Sequence, residues 1–388
     1  MDYLLTEEQK MVKDLARKIS EEKILPVRAE LDEKEEFPWE IMKIFSEADL
    51  CGLYIPEKYG GFGGGALEFC LAVEEISKIC GGVGVTFAAS ALGAVPILQF
   101  GSEDQKNKYL PDIAKGKKLA AFGLTEADAG SDAGAIKTIA KKVGDHYVLN
   151  GTKQWITNGG EAETYVIIAL TDKAKGSRGA SAIIVEKDTP GFTFGKKEKK
   201  MGIRCSATRE LVFQDCKVPK ENILGKEGMG FLIAMKTLDK TRPGIGAQAV
   251  GIAQGALDEA IEYARKRIQF EKPIAAIQAI QHILADMATQ VEAARALIYV
   301  VAKAIDAGQS SFTKESSMSK LFASDTAMKV TVDAVQILGG YGYMREYPVE
   351  KMMRDAKITQ IYEGTNQIQR NQIALQLIKE KASKREKK

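Results

Sequence analysis

At 388 residues the chain is too long for one simple core, which suggests about two to three domains. With 45% hydrophobic and 28% charged residues it reads as a soluble globular protein, and a net charge of +3 demands no polyanionic partner and argues against nucleic acid. The five cysteines (Cys51, Cys70, Cys80, Cys205, Cys216) are odd in number and form no CxxC, the pattern of free thiols in a reducing, cytoplasmic compartment. Two histidines, His146 and His282, with no HExxH argue against a catalytic metal and against histidine acid–base chemistry.

Residues 1–118 read as an α-helical domain. The N-terminus opens on an acidic amphipathic stretch, so no signal or transit peptide is expected. Thr6 with Gln9 spells a capping box, and Leu5, Val12, Leu15 and Ile19 recur at helical spacing up to Pro26. Pro38 opens a helix carrying Ile41, Met42, Phe45 and Leu50. Gly61, Gly63 and Ala66 formally match GxGxxA, but no strand precedes them, so the loop is expected to connect helices. Residues 79–102 carry no charge and are long enough to cross a bilayer; their glycines, Pro96 and Gln99, and the lack of a second span, favour a helix buried in a helical domain. Ser102 with Gln105 caps the next helix.

Residues 119–228 change texture. Short apolar or alternating runs at 119–124, 147–149, 154–157, 165–170, 182–185 and 211–213 alternate with turn signals at Asn150-Gly151, Asn158-Gly159-Gly160 and Pro190-Gly191. This spacing predicts an antiparallel sheet or barrel. Residues 229–388 return to the helical period, with long helices opened by Pro243 and Pro273, a third from Lys314 to Leu338 and a fourth after Asn366, as in an antiparallel four-helix bundle. The lysine-rich end, Lys379 to Lys388, reads as a solvated tail. The fold class is therefore α+β.

Within 355–370 one carboxylate, Glu363, stands between Tyr362 and Gly364 in a charge-poor turn followed by Thr365, Asn366, Gln367 and Gln369. Apolar and aromatic neighbours disfavour its charged form and push its pKa toward the range of a general base. Most glutamates are exposed, and taken alone this one would be a solvated turn residue; the rest of the chain reverses that.

The motifs FGLTEADAGSD (122–132), NGTKQWITNGG (150–160), MGIRCSATRELVF (201–213), DKTRPG (239–244), RIQFEKPI (267–274), QILGGYGY (336–343), EYPVEKMMRDAKI (346–358) and IYEGTNQIQR (361–370) follow one another along nearly the whole chain. In this order the chain resembles the acyl-CoA dehydrogenase family, its short- and medium-chain, butyryl-CoA dehydrogenase-like branch in particular. The resemblance implies an FAD enzyme that oxidises Cα–Cβ of an acyl-CoA to the 2-enoyl-CoA and passes electrons to an electron-transfer flavoprotein. It also implies a homotetramer, a dimer of dimers, and no membrane span. It makes Glu363 the base, with its main-chain N–H polarising the thioester carbonyl. Leu124, Thr125, Trp155 and Thr157 would line the flavin ring, and Arg267, Phe270 and Gln278 would meet the pyrophosphate. Gln336 and Gly340 would reach a neighbouring subunit's FAD, and Thr365 and Gln367 would also contact the cofactor. Ser131, Asp239 and Arg242 would hold the CoA portion, with Tyr362 and Gly364 beside the substrate. Members with the base near position 241 have an acid there, whereas this chain has Thr241.

The chain departs from the family pattern at Ala127-Asp128, where Pro-Gly is usual, and at Glu271, where Gly is usual. Gly84 stands where glutaryl-specific members carry arginine, which disfavours a dicarboxylic acyl group. The small residues of segment 83–100, Ala91 among them, are expected to wall the acyl pocket, suiting an uncharged short- to medium-chain or compact alicyclic group. The alternatives are a flavin acyl-CoA oxidase and a non-catalytic helical scaffold of the same fold.

Overall fold

The computed structural model describes residues 3–386. Helix α1 (Glu7–Ile19) starts at the expected capping box, with Gln9 N–H donating to Thr6 Oγ1 and Thr6 N–H to Gln9 Oε1. It loosens into a π-turn over Ser20–Ile24, where Ser20 Oγ donates back to the Ala16 carbonyl. Helices α2 (Arg28–Lys34), α3 (Trp39–Glu47), α4 (Ala66–Ile79), α5 (Gly81–Phe100) and α6 (Glu103–Ala114) complete this part. Leu50 lies outside α3, in a separate 3-10 turn. The glycine loop before α4 follows a 3-10 turn rather than a strand, so it is a helix connector. The charge-free segment is α5, and most of it is buried inside the fold. It is an interior strut, packed so closely on α4 that a Cβ at Gly84 would sit 2.1 Å from Ser77 Oγ. A side chain at that position would have to displace the Ser77 hydroxyl.

The sheet corrects the purely antiparallel expectation. Its eight strands are β1 (Ala120–Gly123), β2 (Ile139–Val143), β3 (His146–Thr157), β4 (Thr164–Leu170), β5 (Ala180–Glu186), β6 (Phe192–Phe194), β7 (Thr208–Pro219) and β8 (Ile223–Leu224). Seven of them run in the order β6-β7-β3-β2-β4-β5-β8, with β1 paired to β4 off that path. Strand β1 lies parallel to β4, and so does the first residue of β2, so the sheet is mixed. Asn150-Gly151 is not a turn: β3 continues through it with a bulge opposite β7, where Asn150 and Asp215 bond side chain to backbone and side chain to side chain. A bulge absorbs the residue that a hairpin would have used.

Helix α7 (Gly230–Lys266) corrects a second expectation, because Pro243 lies inside it rather than at its start. Proline has no N–H for the carbonyl four residues back. That carbonyl, of Asp239, accepts instead from Ser316 Oγ at 2.6 Å. Ser316 lies on α9 (Thr313–Leu338), so the defect is repaired across the bundle. Pro273 likewise opens no helix; it closes a two-residue hairpin, β9 (Ile268–Gln269) with β10 (Lys272–Pro273), before α8 (Gln278–Asp306). A short α10 (Val349–Thr359) was not anticipated, and α11 (Asn366–Glu386) completes the bundle with α7, α8 and α9. Of the expected tail, Lys379 onward continues α11 and residues 387–388 lie outside the described residues.

Candidate active site

Between α10 and α11 the chain makes a sharp turn. Glu363 (φ +52°) and Gly364 (φ +92°) are both left-handed, ordinary for glycine and uncommon for glutamate. Donors hold this turn from several sides. The Glu363 carbonyl accepts from Arg242 Nε (3.3 Å) and Gln369 Nε2 (3.1 Å), and the Gly364 carbonyl from Gln369 Nε2 and Lys320 Nζ (both 2.9 Å). Tyr362 is anchored by its hydroxyl to Gln248, whose amide reaches the Gly81 carbonyl at the start of α5. Strain of this kind persists only where the surroundings over-determine it.

The Glu363 side chain accepts from Thr241 Oγ1 at 2.8 Å through Oε2. Burial raises its carboxyl to about 7, against the Thr241 hydrogen bond and the positive charges of Arg242 and Lys320. The direction inferred from its neighbours in sequence is therefore that of the folded protein. The Glu363 N–H has no acceptor among the described backbone groups.

Glu363 opens on a cleft of about 440 Å³ between α5, the sheet and α7. Leu124, Thr125, Ser131, Trp155, Thr157, Arg242, Tyr362 and Gly364 line it too, so the structure brings these expected residues together. Trp155 is 56% exposed and left-handed (φ +57°), because β3 loses register with β7 between Lys153 and Ile156 and the bulge turns the ring outward. Along α5 the cleft-facing side chains are Val85, Ala88, Ala89 and Leu92, one helical face. Ala91 is on another face and lines a separate cavity of about 80 Å³ with Phe69, Val95 and Thr241, which corrects its expected place in the acyl wall.

The departing residues Ala127-Asp128 form a tight turn closed by Glu126 and Ala129, which exchange backbone hydrogen bonds of 3.2 and 3.0 Å. Beneath it lies a pair not foreseen from sequence. Lys153 is fully buried and donates to Glu126 Oε1 (2.7 Å) and to the Leu124 carbonyl (2.9 Å), while Glu126 also accepts from the Lys137 and Thr138 N–H groups. Burial lowers Lys153 to about 8 even with Glu126 pulling the other way. The pair fixes the loop that carries Leu124 and Thr125.

Asp239 does not line the cleft. It is a buried partner of Arg242 (2.7 Å) and also accepts from Thr313 Oγ1 (2.6 Å), so the two form a sequestered pair inside α7 rather than a solvated one at its start. Arg267, Phe270 and Gly340 line a second groove, of about 600 Å³, with Tyr263 and Tyr341. Arg267 stacks over the Tyr341 ring and has no carboxylate partner among the described residues. Phe270 and Glu271 form the hairpin tip, both left-handed (φ +51° and +64°), and Phe270 is 83% exposed. Gln278 and Gln336 are exposed beside this groove without lining it; Thr365 and Gln367 flank the turn at the start of α11.

Sequence reasoning also passed over Lys320 and Gln248, both fully buried, and noted Gln369 only as one of the polar residues after the turn. The available signal was a polar run, Ser316, Ser317, Ser319, Lys320 and Ser324, on a helix face whose period places it in the core.

The fold and this site define an acyl-CoA dehydrogenase. Family models described as the acyl-CoA dehydrogenase N-terminal, middle and C-terminal domains match residues 6–117, 121–216 and 228–378. The chain belongs to this family. It is 52% identical over 381 residues to acryloyl-CoA reductase (NADH) of Anaerotignum propionicum, covering 98% of this chain and 96% of that one. The solved butyryl-CoA dehydrogenase of Megasphaera elsdenii superposes with a TM-score of 0.95 at 51% identity, over 97% of this chain and 100% of the other. A chain of a structure described as the electron transferring flavoprotein of Acidaminococcus fermentans, from work on flavin-based electron bifurcation, gives a TM-score of 0.95 at 52% identity, over 97% and 99%.

Proposed function

We propose that the chain is an FAD-dependent dehydrogenase that converts a short- to medium-chain, or compact alicyclic, acyl-CoA to its 2-enoyl-CoA. The observation that carries this reading is Glu363, a carboxylate raised to about 7 and held in a strained turn over a cleft with an apolar wall. That wall, Val85, Ala88, Ala89, Leu92 and Phe122, meets an uncharged acyl group and offers nothing to a second carboxylate.

The residues present fit the cofactor. Trp155 offers a ring face to the cleft, and the hydroxyls of Thr125 and Thr157 are committed to no other described residue. Leu124, Thr125, Trp155 and Thr157 would hold the flavin ring. Arg267, with its free charge, would meet the pyrophosphate together with Phe270 and Gln278. Gln336 and Gly340 would serve a neighbouring subunit's FAD, and Thr365 and Gln367 would also contact the cofactor. Bound there, FAD supplies the acceptor for the β-hydride, which no side chain can provide.

The protein's own part is the proton. Glu363 Oε2 is engaged by Thr241, so Oε1 takes the α-proton. A thioester α-proton is too weakly acidic for a carboxylate unless the developing enolate oxygen is stabilised. The free Glu363 N–H would do that, as an oxyanion donor fixed by the turn. Ser131, Tyr362 and Gly364 would line the substrate's path. Arg242 and Asp239 serve it from beneath, through the Glu363 carbonyl.

Electrons would pass to an electron-transfer flavoprotein. A homotetramer, a dimer of dimers, is supported by the exposed Phe270 and Tyr343 beside the second groove. The proposed domains are 1–118, 119–228 and 229–388, in a cytoplasmic protein. A second reading, reduction of a short 2-enoyl-CoA, is favoured by the identity to acryloyl-CoA reductase. The same carboxylate would then deliver the proton, and the electron partner would decide direction.

The test is an absorbance spectrum of the purified protein, followed by anaerobic titration with butyryl-CoA. Flavin absorbance that bleaches on titration is expected, with Glu363→Gln keeping the flavin but not bleaching, a loss of about 10²–10⁴-fold or more in rate. A colourless protein that takes up no FAD would refute the reading, and rapid recolouring in air would favour an oxidase.

A further inference from the structure

Lys320 is an anomaly in α9. Its side chain is fully buried, among Ser316, Ser317, Ser319 and Ser324, and it reaches no solvent. Nζ donates to the Gly364 carbonyl at 2.9 Å and to Asn366 Oδ1 at 2.8 Å. Asn366, the first residue of α11, is itself fixed by Ser324 Oγ and by Asp325 Oδ1. A buried ammonium is costly unless it is well bonded. Here its bonds go to the two sides of the turn that carries Glu363.

We propose that Lys320 is a positioning residue for proton abstraction, which pins the Glu363–Gly364 turn and favours the ionised carboxylate. The inference rests on the assignment of Glu363 as the base. The groups around the turn divide the work. From α7, Thr241 touches the carboxylate and Arg242 the carbonyl, with Asp239 neutralising Arg242. From α9, Lys320 is the cation and Asp325 the anion, the latter already tied to Gln360, Asn366 and Arg370. Arg242 is therefore paired with a buried acid, whereas the direct contacts of Lys320 are neutral oxygens. Its charge acts on Glu363 with no carboxylate in contact to offset it. Burial brings Lys320 down to about 7, with Glu363 pulling it up and Arg242 pushing it further down.

Two variants separate geometry from charge. Lys320→Met removes both. It is expected to fold, because the Gly364 carbonyl keeps Gln369 Nε2 at 2.9 Å and Asn366 keeps its own Nδ2 bonds to Ser324 Oγ and Asp325 Oδ1. Lys320→Gln keeps a donor but no charge. In both, the acid limb of kcat/KM should move up by about one pH unit, since an opposite charge nearby favours the ionised carboxylate. At pH 6 this is roughly a tenfold loss. Above the limb, Lys320→Gln should recover a larger share of wild-type kcat than Lys320→Met, with KM and flavin content unchanged in either. A limb that stays in place in both variants, while Glu363→Gln abolishes bleaching, would overturn the role of Lys320 and leave the base intact. A wild-type protein that does not bleach would instead remove the reading beneath it.

Discussion

Removing the Thr241 hydroxyl isolates the one group that touches the catalytic carboxylate directly. Thr241 Oγ1 lies 2.8 Å from Glu363 Oε2 and 3.5 Å from the Leu238 carbonyl of its own helix, and a hydroxyl has one proton to give. The shorter, charged acceptor takes it. Such a bond is worth about 1.5–3 kcal/mol, which is about one to two pH units on the titration of Glu363. Thr241→Val keeps the side-chain shape and removes the donor. Glu363 already sits at about 7. Losing a bond that favours its anion should raise it further, so the acid limb of kcat/KM moves up by about one to two units. The assay is kcat/KM for a short acyl-CoA across the pH range, with an artificial electron acceptor. At pH 6 the variant should lose about 10- to 100-fold, and well above the limb it should approach wild type. A limb that stays in place would show that the hydroxyl serves the helix carbonyl instead, and would refute the reasoning.

The same raised carboxyl makes a stability prediction. The folded value of about 7 lies above the 4.5 of an unperturbed glutamate, so the folded state binds more protons between these values. Stability attached to Glu363 is thus full below about 4.5 and is lost as pH rises through 7. Glu363→Gln should therefore gain up to about 1–3 kcal/mol over wild type at pH 8 and nothing at pH 4, by chemical denaturation of the two proteins; an equal difference at both pH values would contradict this. Ala88→Phe, on the cleft face of α5, should shift chain-length preference toward shorter acyl groups. Each methylene excluded is worth about 1–3 kcal/mol in kcat/KM, and a profile over C4 to C8 acyl-CoAs that matches wild type would place the acyl wall elsewhere.

The sequence by itself determined most of the element types and the chemistry of the turn. Capping boxes at Thr6 and Ser102 act over three residues, and the helical periods of α1, α8 and α9 repeat within each element, so both can be seen without tertiary contacts. Glu363 was legible for the same reason: its aromatic and glycine neighbours are adjacent in the chain. What tertiary structure alone decided involves partners far apart. Strand β1 runs parallel to β4, and alternation along a strand carries no direction. Pro243 reads locally as a helix start, yet Ser316, on another helix, supplies the missing bond and lets α7 run through. Ala91 and Ala88 are equivalent in composition, and only the packing of α5 decides which of them faces the cleft. Lys153 and Lys320 read as surface residues, because lysine is almost never buried alone. Glu126 makes the first burial tolerable, and the carbonyl of Gly364 with Asn366 makes the second so. A charge can leave water only where the fold has already assembled its partners, and a list of residues does not contain that assembly.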